Sequence, residues 1–219
     1  MFVRNSNDVQ SHSLEINQIT VTQKIKTASN YYSKRFIKCR QIAEFTDYYG
    51  LIFAALLESN SNCVSFTPRP FRLRVLGRPY IPDFCLVGNR EREIVDIANG
   101  FANKQINESL TNFFNNNGFK YSVITTNSLK AEQQKAESWL QVVSLLVTTR
   151  DFNSHFEEEV ILNGISSGKI ENLGDIVDVG DRNGTLAYEI ALFRLMHGGF
   201  VIANLDNSPL NYNTELSSC

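Results

Sequence analysis

The strongest periodicity in the chain lies in residues 41–58, where Phe45, Tyr48, Tyr49, Ile52, Phe53, Leu56 and Leu57 recur three and four positions apart. That spacing gathers them on one stripe of an amphipathic helix. Asn60 to Asn62 breaks the pattern, and short apolar, β-rich runs follow at 63–66, 71–75, 80–87 and 93–97. Pro68 and Pro70, Gly77 to Pro79, and Gly88 to Asn89 separate these runs as turns, so each is predicted as a strand. A helix is predicted from about Phe101 to Phe114, with Ile106, Leu110, Phe113 and Phe114 on one face. Asn115 to Gly118 closes it, glycine being the natural residue for a left-handed C-terminal cap. Residues 121–125 read as another strand. The order helix, three or four strands, helix, strand predicts an α/β core whose central sheet has a helix on each side.

Beyond about residue 130 the texture turns helical. Helices are predicted at 131–147 (Trp139, Leu140, Val143 and Leu146 on the apolar side), 152–163, 170–178 and 185–197, the last ended by Gly198 and Gly199. Residues 200–202 and the tail through Leu205 suit a small hairpin or wing. The expected organisation is a weakly ordered polar leader at 1–23, an α/β domain at 24–135 and a small α-helical domain at 136–219. The last reads either as a winged helix or as a helical cap packed on the core.

Composition adds limits. Of the 219 residues 42% are hydrophobic, enough for one mid-sized core and a small second one. The net charge of -2 excludes a uniformly basic nucleic-acid binder, yet the distribution is uneven. Residues 1–40 carry Arg4, Lys24, Lys26, Lys34, Arg35, Lys38 and Arg40 against Asp8 and Glu15, a local +5 that leaves -7 on the remainder. A basic leader on an acidic body suits a phosphate-bearing partner, or is simply a solvated face. The cysteines (Cys39, Cys63, Cys85 and Cys219) form no CxxC pair, and none stands near a histidine at a metal-ligand spacing, so reduced thiols in an intracellular protein are expected. No apolar run approaches a membrane span, and the N-terminus lacks a signal-peptide core, so a soluble, cytoplasmic protein with no membrane partner is expected.

The chemistry-bearing segment is 66–98: FTPRPFRLRV, then GRPYIPDFCLV, then REIVDIA. A Pro-Asp dipeptide opens a strand, and a carboxylate embedded in a second apolar strand follows thirteen positions later. Two carboxylates on neighbouring strands can hold Mg²⁺, which prefers hard oxygen ligands and keeps several waters. Such an ion activates water and stabilises a charged phosphoryl transition state.

In this layout the chain resembles the PD-(D/E)xK nucleases, and among them the TnsA-like endonuclease subunit of heteromeric transposases. The resemblance rests on LIFAALLESNSNCVSF at 51–66, RPF at 69–71, YIPDF at 80–84, IVDIA at 94–98 and the tail GGFVIANLDNSPLNYNTEL from 198 on. It covers roughly residues 24–216, with YIPDF its strongest motif. It implies a restriction-endonuclease-like core and a catalytic, metal-binding pair at Asp83 and Asp96, with Mg²⁺ as cofactor if the site works. The motif's lysine falls on Ala98 and its helix glutamate near Gly50, which implies an impaired or inactive centre. Asp47 standing in for the glutamate, with Lys104 swinging in from the next helix, would rescue it.

The resemblance further implies DNA (transposon ends) as partner, together with a TnsB-like transposase, a TnsC-like ATPase and a bacterial, nucleoid-associated setting. Phosphate contacts are expected from Lys24, Lys26, Lys34, Arg35, Lys38 and Arg40. Two other functional readings stand beside this one: an active metal-dependent endonuclease cutting transposon ends, and a mobile-element interaction protein on a nuclease-like fold. Structural roles stand beside the site residues too. Asp83 after a proline suits a turn-former whose carboxylate caps a backbone N–H. Asp96, between Val95 and Ile97, suits the solvent side of a half-buried strand.

Overall fold

The computed structural model describes residues 3–89, 91–98, 104–178, 180–205 and 208–219. The chain divides into two compact units, one of Met1–Ala54 and Asn62–Ala131, the other of Ala55–Ser61 and Glu132–Cys219. The first contains β1 (Val9–Gln10), α1 (Gln23–Ala28), β2 (Tyr32–Lys34), β3 (Ala43–Phe45), most of α2 (Tyr48–Ser59), β4 (Cys63–Pro68) and β5 (Leu73–Val75). It continues with β6 (Arg78–Tyr80), β7 (Phe84–Gly88), β8 (Arg92–Ala98), α3 (Lys104–Asn116), β9 (Lys120–Thr125) and α4 (Thr126–Ala131).

The fold is α/β with a mixed sheet. Four strands lie in the order β4-β7-β8-β9. The first three pair antiparallel, while β9 runs parallel to β8. A parallel neighbour needs a crossover, and α3 supplies it. Phe84 pairs with Val95 and Cys85 with Ile94, so alternate residues serve opposite faces. On one face Phe84 meets Phe45, Phe53 and Phe66, its ring 4.9 Å from that of Phe53 on α2. On the other, Cys85 and Ile94 join Leu110, Phe113 and Phe114 of α3 in a buried cluster. The predicted α/β core, with apolar cover on both faces of its sheet, is present.

Three expectations change. The helix predicted from residue 41 begins at Tyr48, because Ala43–Phe45 pairs with Tyr32–Lys34 as a ribbon. The Asp47 carboxylate accepts the Gly50 N–H at 2.9 Å and so marks the helix start. The strand predicted over 80–87 breaks at Pro82–Asp83; its first part pairs instead with β5 across Leu76 and Gly77, both at positive φ (49° and 78°). Two such residues make a tight hairpin turn. The leader at 1–23, expected to be weakly ordered, supplies β1 to β5, with Val9 fully buried and Leu14 and Val21 buried as well. Of the helix predicted from Phe101, residues 101–103 lie outside the described residues, and Gly118 ends it at φ 79° as expected.

The second unit contains the end of α2, then α5 (Gln133–Thr148), α6 (His155–Ser166), a 3₁₀ turn (Leu173–Asp175), α7 (Arg182–Gly198), β10 (Val201–Ala203) and β11 (Leu216–Ser218). Its core gathers Trp139, Val142, Val143, Ile161, Ile190, Leu192 and Leu195, all buried. Asp181 caps α7 by accepting the Gly184 N–H at 3.0 Å, and Gly199 ends it at φ 77°. Residues 200–205, expected as a small hairpin, supply one strand, β10, which pairs antiparallel with β11 thirteen residues further on. The unit divides from the first at residue 132, a few positions before the expected 136. No helix among the described residues is long and apolar enough to cross a membrane.

Candidate functional site

Asp83 sits just before β7, held by the rigid Ile81–Pro82 approach, and Asp96 lies opposite it on β8. The two are joined by reciprocal hydrogen bonds. The Asp83 N–H donates to Asp96 Oδ1 at 3.1 Å, and the Ile97 N–H donates to Asp83 Oδ2 at 2.7 Å. The second Asp96 oxygen accepts the Tyr121 hydroxyl at 2.7 Å and the Tyr80 hydroxyl as well. Asp83 thus caps a backbone N–H, as a turn-former would. Asp96 is half-buried and accepts from two tyrosine hydroxyls.

The surroundings shift the acids accordingly. Burial pushes the Asp83 carboxyl up to about 7; the Ile97 N–H opposes this, Asp96 and Asp47 add to it, and Arg69 counters it. Burial raises Asp96 too, against the pull of Tyr121, Tyr80 and the Asp83 N–H. Both tyrosines are raised, by burial first and by the Asp96 charge second. Three donors thus use three of the four acceptor positions of Asp96, both of those on Oδ2 and one on Oδ1.

Asp83 also lines a small cleft with Glu44, Thr46, Asp47, Gly50 and Arg69, of about 20 Å³. Arg69 stands at φ 51°, rare for a residue with a side chain; its N–H donates to the Asp83 carbonyl at 2.8 Å and its Nε–H to the Ile19 carbonyl at 3.1 Å. Glu44 has its own partners: Lys26 Nζ at 2.5 Å, the Tyr31 hydroxyl at 2.6 Å and the Val21 N–H at 2.8 Å. Burial pushes Glu44 up, but Lys26, Tyr31 and Val21 together outweigh it and hold it below the usual carboxylate range.

The remaining positions follow from packing. A Cβ on Gly50 would stand 3.1 Å from the Phe45 ring, so α2 approaches that ring closely and leaves a side chain little room there. Ala98 ends β8 without a polar group. Lys104, at the start of α3, has a highly exposed side chain 3.9 Å from Glu108. A Mg²⁺ ion here would compete with the Tyr80 and Tyr121 hydroxyls for one Asp96 oxygen and with the Asp83 N–H for the other. Among the described residues no group of three or more His, Cys, Asp or Glu side chains is arranged to hold a metal ion.

The basic stretch is uneven. Lys24, Arg35 and Arg40 are exposed, whereas Lys26 is committed to Glu44 and burial lowers the pKa of half-buried Lys34. Lys38 is half-buried, and its carbonyl accepts the Phe66 N–H at 3.0 Å. Sequence reasoning missed Tyr80 and Tyr121 as partners of Asp96. Each of them reads in its own strand as an ordinary β-aromatic. No protein-family model matches the chain, and no curated protein matches it significantly.

Proposed function

We propose that the first unit is a nuclease-like, DNA-associated module whose cleavage centre has become a structural brace. The reading is supported by the succession α2, β4, β7, β8, α3, β9 around a mixed sheet, with two aspartates opposed at adjoining strands. The observation that carries it is the brace itself: Asp83 and Asp96 bind each other's backbone neighbourhood, and Tyr80 and Tyr121 both donate to the second Asp96 oxygen. Ala98 in place of lysine, and Gly50 where a glutamate would be needed, fit the same conclusion. In this reading the chain is a TnsA-like subunit of a transposition complex. It acts as scaffold or regulator beside a TnsB-like transposase and a TnsC-like ATPase, without cutting. The acidic second unit supports a protein-docking role, since from Glu137 onward four basic residues face twelve acidic ones.

An active endonuclease is the alternative, and one observation favours it: Asp47 lines the same cleft as Asp83. Incubation of the full chain with supercoiled plasmid and Mg²⁺ or Mn²⁺ separates the two. The proposal expects the plasmid to be retarded on a gel yet to stay supercoiled. Robust nicking that disappears in Asp83→Ala would establish the alternative instead.

A further inference from the structure

The hairpin of β5 and β6 with β1 has two dissimilar faces. Val9, Leu73 and Val75 turn inward to the α3-side cluster, with Tyr80 packed against it. Strand alternation therefore sends Arg72 and Arg74 outward, and both are exposed. Gln10, Arg74 and Pro79 are direct partners across the three strands, so they form one row on this outer face. Beside the row opens a groove of about 290 Å³, lined by Asn5, Gln10, Ser11, His12, Arg72 and Arg74 over a floor of Leu73 and Pro79. Among the described residues no carboxylate lines it.

Several features make this groove more than a solvated basic face. Among the described residues neither Arg72 nor Arg74 has an ion-pair partner, whereas Lys26 of the leader is bound to Glu44. The groove's scaffold is fixed: Ser11 is buried, its hydroxyl donates to the Ser13 carbonyl at 2.7 Å with the Arg72 carbonyl 3.2 Å away, and its N–H donates to Asn5 Oδ1 at 2.8 Å. Residues two apart on a strand stand about 6.7 Å from one another, and a nucleic-acid strand presents phosphates in regular succession along its length. Guanidinium groups suit phosphate oxygens because their planar fork donates two parallel N–H bonds.

We propose that the Arg72–Arg74 groove is the nucleic-acid phosphate site of the first unit, with Asn5, Gln10 and His12 as further donors beside the two arginines. The occupant is the phosphodiester backbone, met without base readout, since both cations reach out from a flat sheet face. This rests on the DNA-associated reading above but moves the contact away from the basic leader. Each phosphate contact on B-DNA contributes about 0.9 to the log-log salt slope. Two contacts then steepen the loss of affinity between about 50 and 200 mM salt by roughly twelvefold.

The test is fluorescence anisotropy of the full chain with a labelled 25-base-pair duplex across that salt range. Four proteins are compared: wild type, Arg72→Ala/Arg74→Ala, the corresponding double lysine variant, and a leader variant with Lys24, Arg35 and Arg40 changed to alanine. All five substituted positions are exposed, and thermal melting confirms folding. The proposal expects the Arg72/Arg74 alanine pair to lose about 1.8 in slope, the lysine pair to recover most of that slope, and the leader variant to lose less. Inorganic phosphate and a mononucleotide serve as competitors, and displacement of the duplex only at high millimolar concentration supports a polymer site. If wild type binds and only the leader variant loses slope, the groove assignment is overturned while the DNA-associated reading survives. If wild type shows no salt-dependent binding, both fall. Micromolar displacement by the mononucleotide would reassign the groove to a free nucleotide.

Discussion

Replacing Asp83 with asparagine should stabilise the protein at neutral and alkaline pH. The substitution keeps a side-chain oxygen to accept the Ile97 N–H and removes a charge from a buried site. The folded carboxyl keeps its proton to about pH 7, whereas an unfolded aspartate releases it near pH 4. Between these values the folded state binds more protons, so wild-type stability falls as pH rises through that window. Below about pH 4 the penalty is absent, and above about 7 it is complete. Three pH units at about 1.4 kcal/mol each set a ceiling of about 4 kcal/mol. Water entry and reorientation of the ionised side chain relieve much of it, leaving about 1–2 kcal/mol. For a chain of this size that is about 2–8 °C in melting temperature at pH 8, shrinking to nothing near pH 4. Differential scanning calorimetry of both proteins from pH 4 to 8, in chelator, measures it. A variant that is less stable at pH 8, or whose gain grows as pH falls, would refute the reasoning.

Three other outcomes follow from the same contacts. Tyr121→Phe deletes one hydroxyl donor to Asp96 and should cost about 1–3 kcal/mol in urea unfolding, with folding retained because the ring stays in place. Glu44→Ala strips the partner from Lys26, Tyr31 and the Val21 N–H at once; a loss of about 2–4 kcal/mol is expected, and a change under about 0.5 kcal/mol would mean the cluster contributes nothing net. Gly199→Ala forces a methyl group into left-handed backbone 3.1 Å from Ser61 Cβ, so a loss of about 1 kcal/mol or more should appear in thermal melts.

The central strands and the helix pattern of the second unit were legible because each is local: period-two runs bounded by turns, and helices stopped by Gly118 and Gly199 at positive φ. What was not legible depends on pairing between distant residues. Val9 enters the core only because Leu73–Val75 offers β1 a partner more than sixty residues away. Glu44 lies within the expected helix, yet Ala43–Phe45 finds Tyr32–Lys34 and the helix yields those residues. The positions of Asp83 and Asp96 on adjoining strands could be read from the motif, but their state could not. That state depends on Tyr80 and Tyr121, one in a separate hairpin and one on a parallel strand reached through α3. Likewise, charge counting pointed at the leader, and only the alternation of β5 reveals that Arg72 and Arg74 share an outer face.

Calorimetric titration of the full chain with Mn²⁺, beside its Asp83→Ala variant, bears most directly on the claim that the carboxylate pair is a brace and not a metal centre. With Asp96 engaged by two tyrosine hydroxyls and a backbone N–H, the two proteins should give the same weak, non-saturating heats. A saturable wild-type site with micromolar affinity that vanishes in Asp83→Ala would contradict the account.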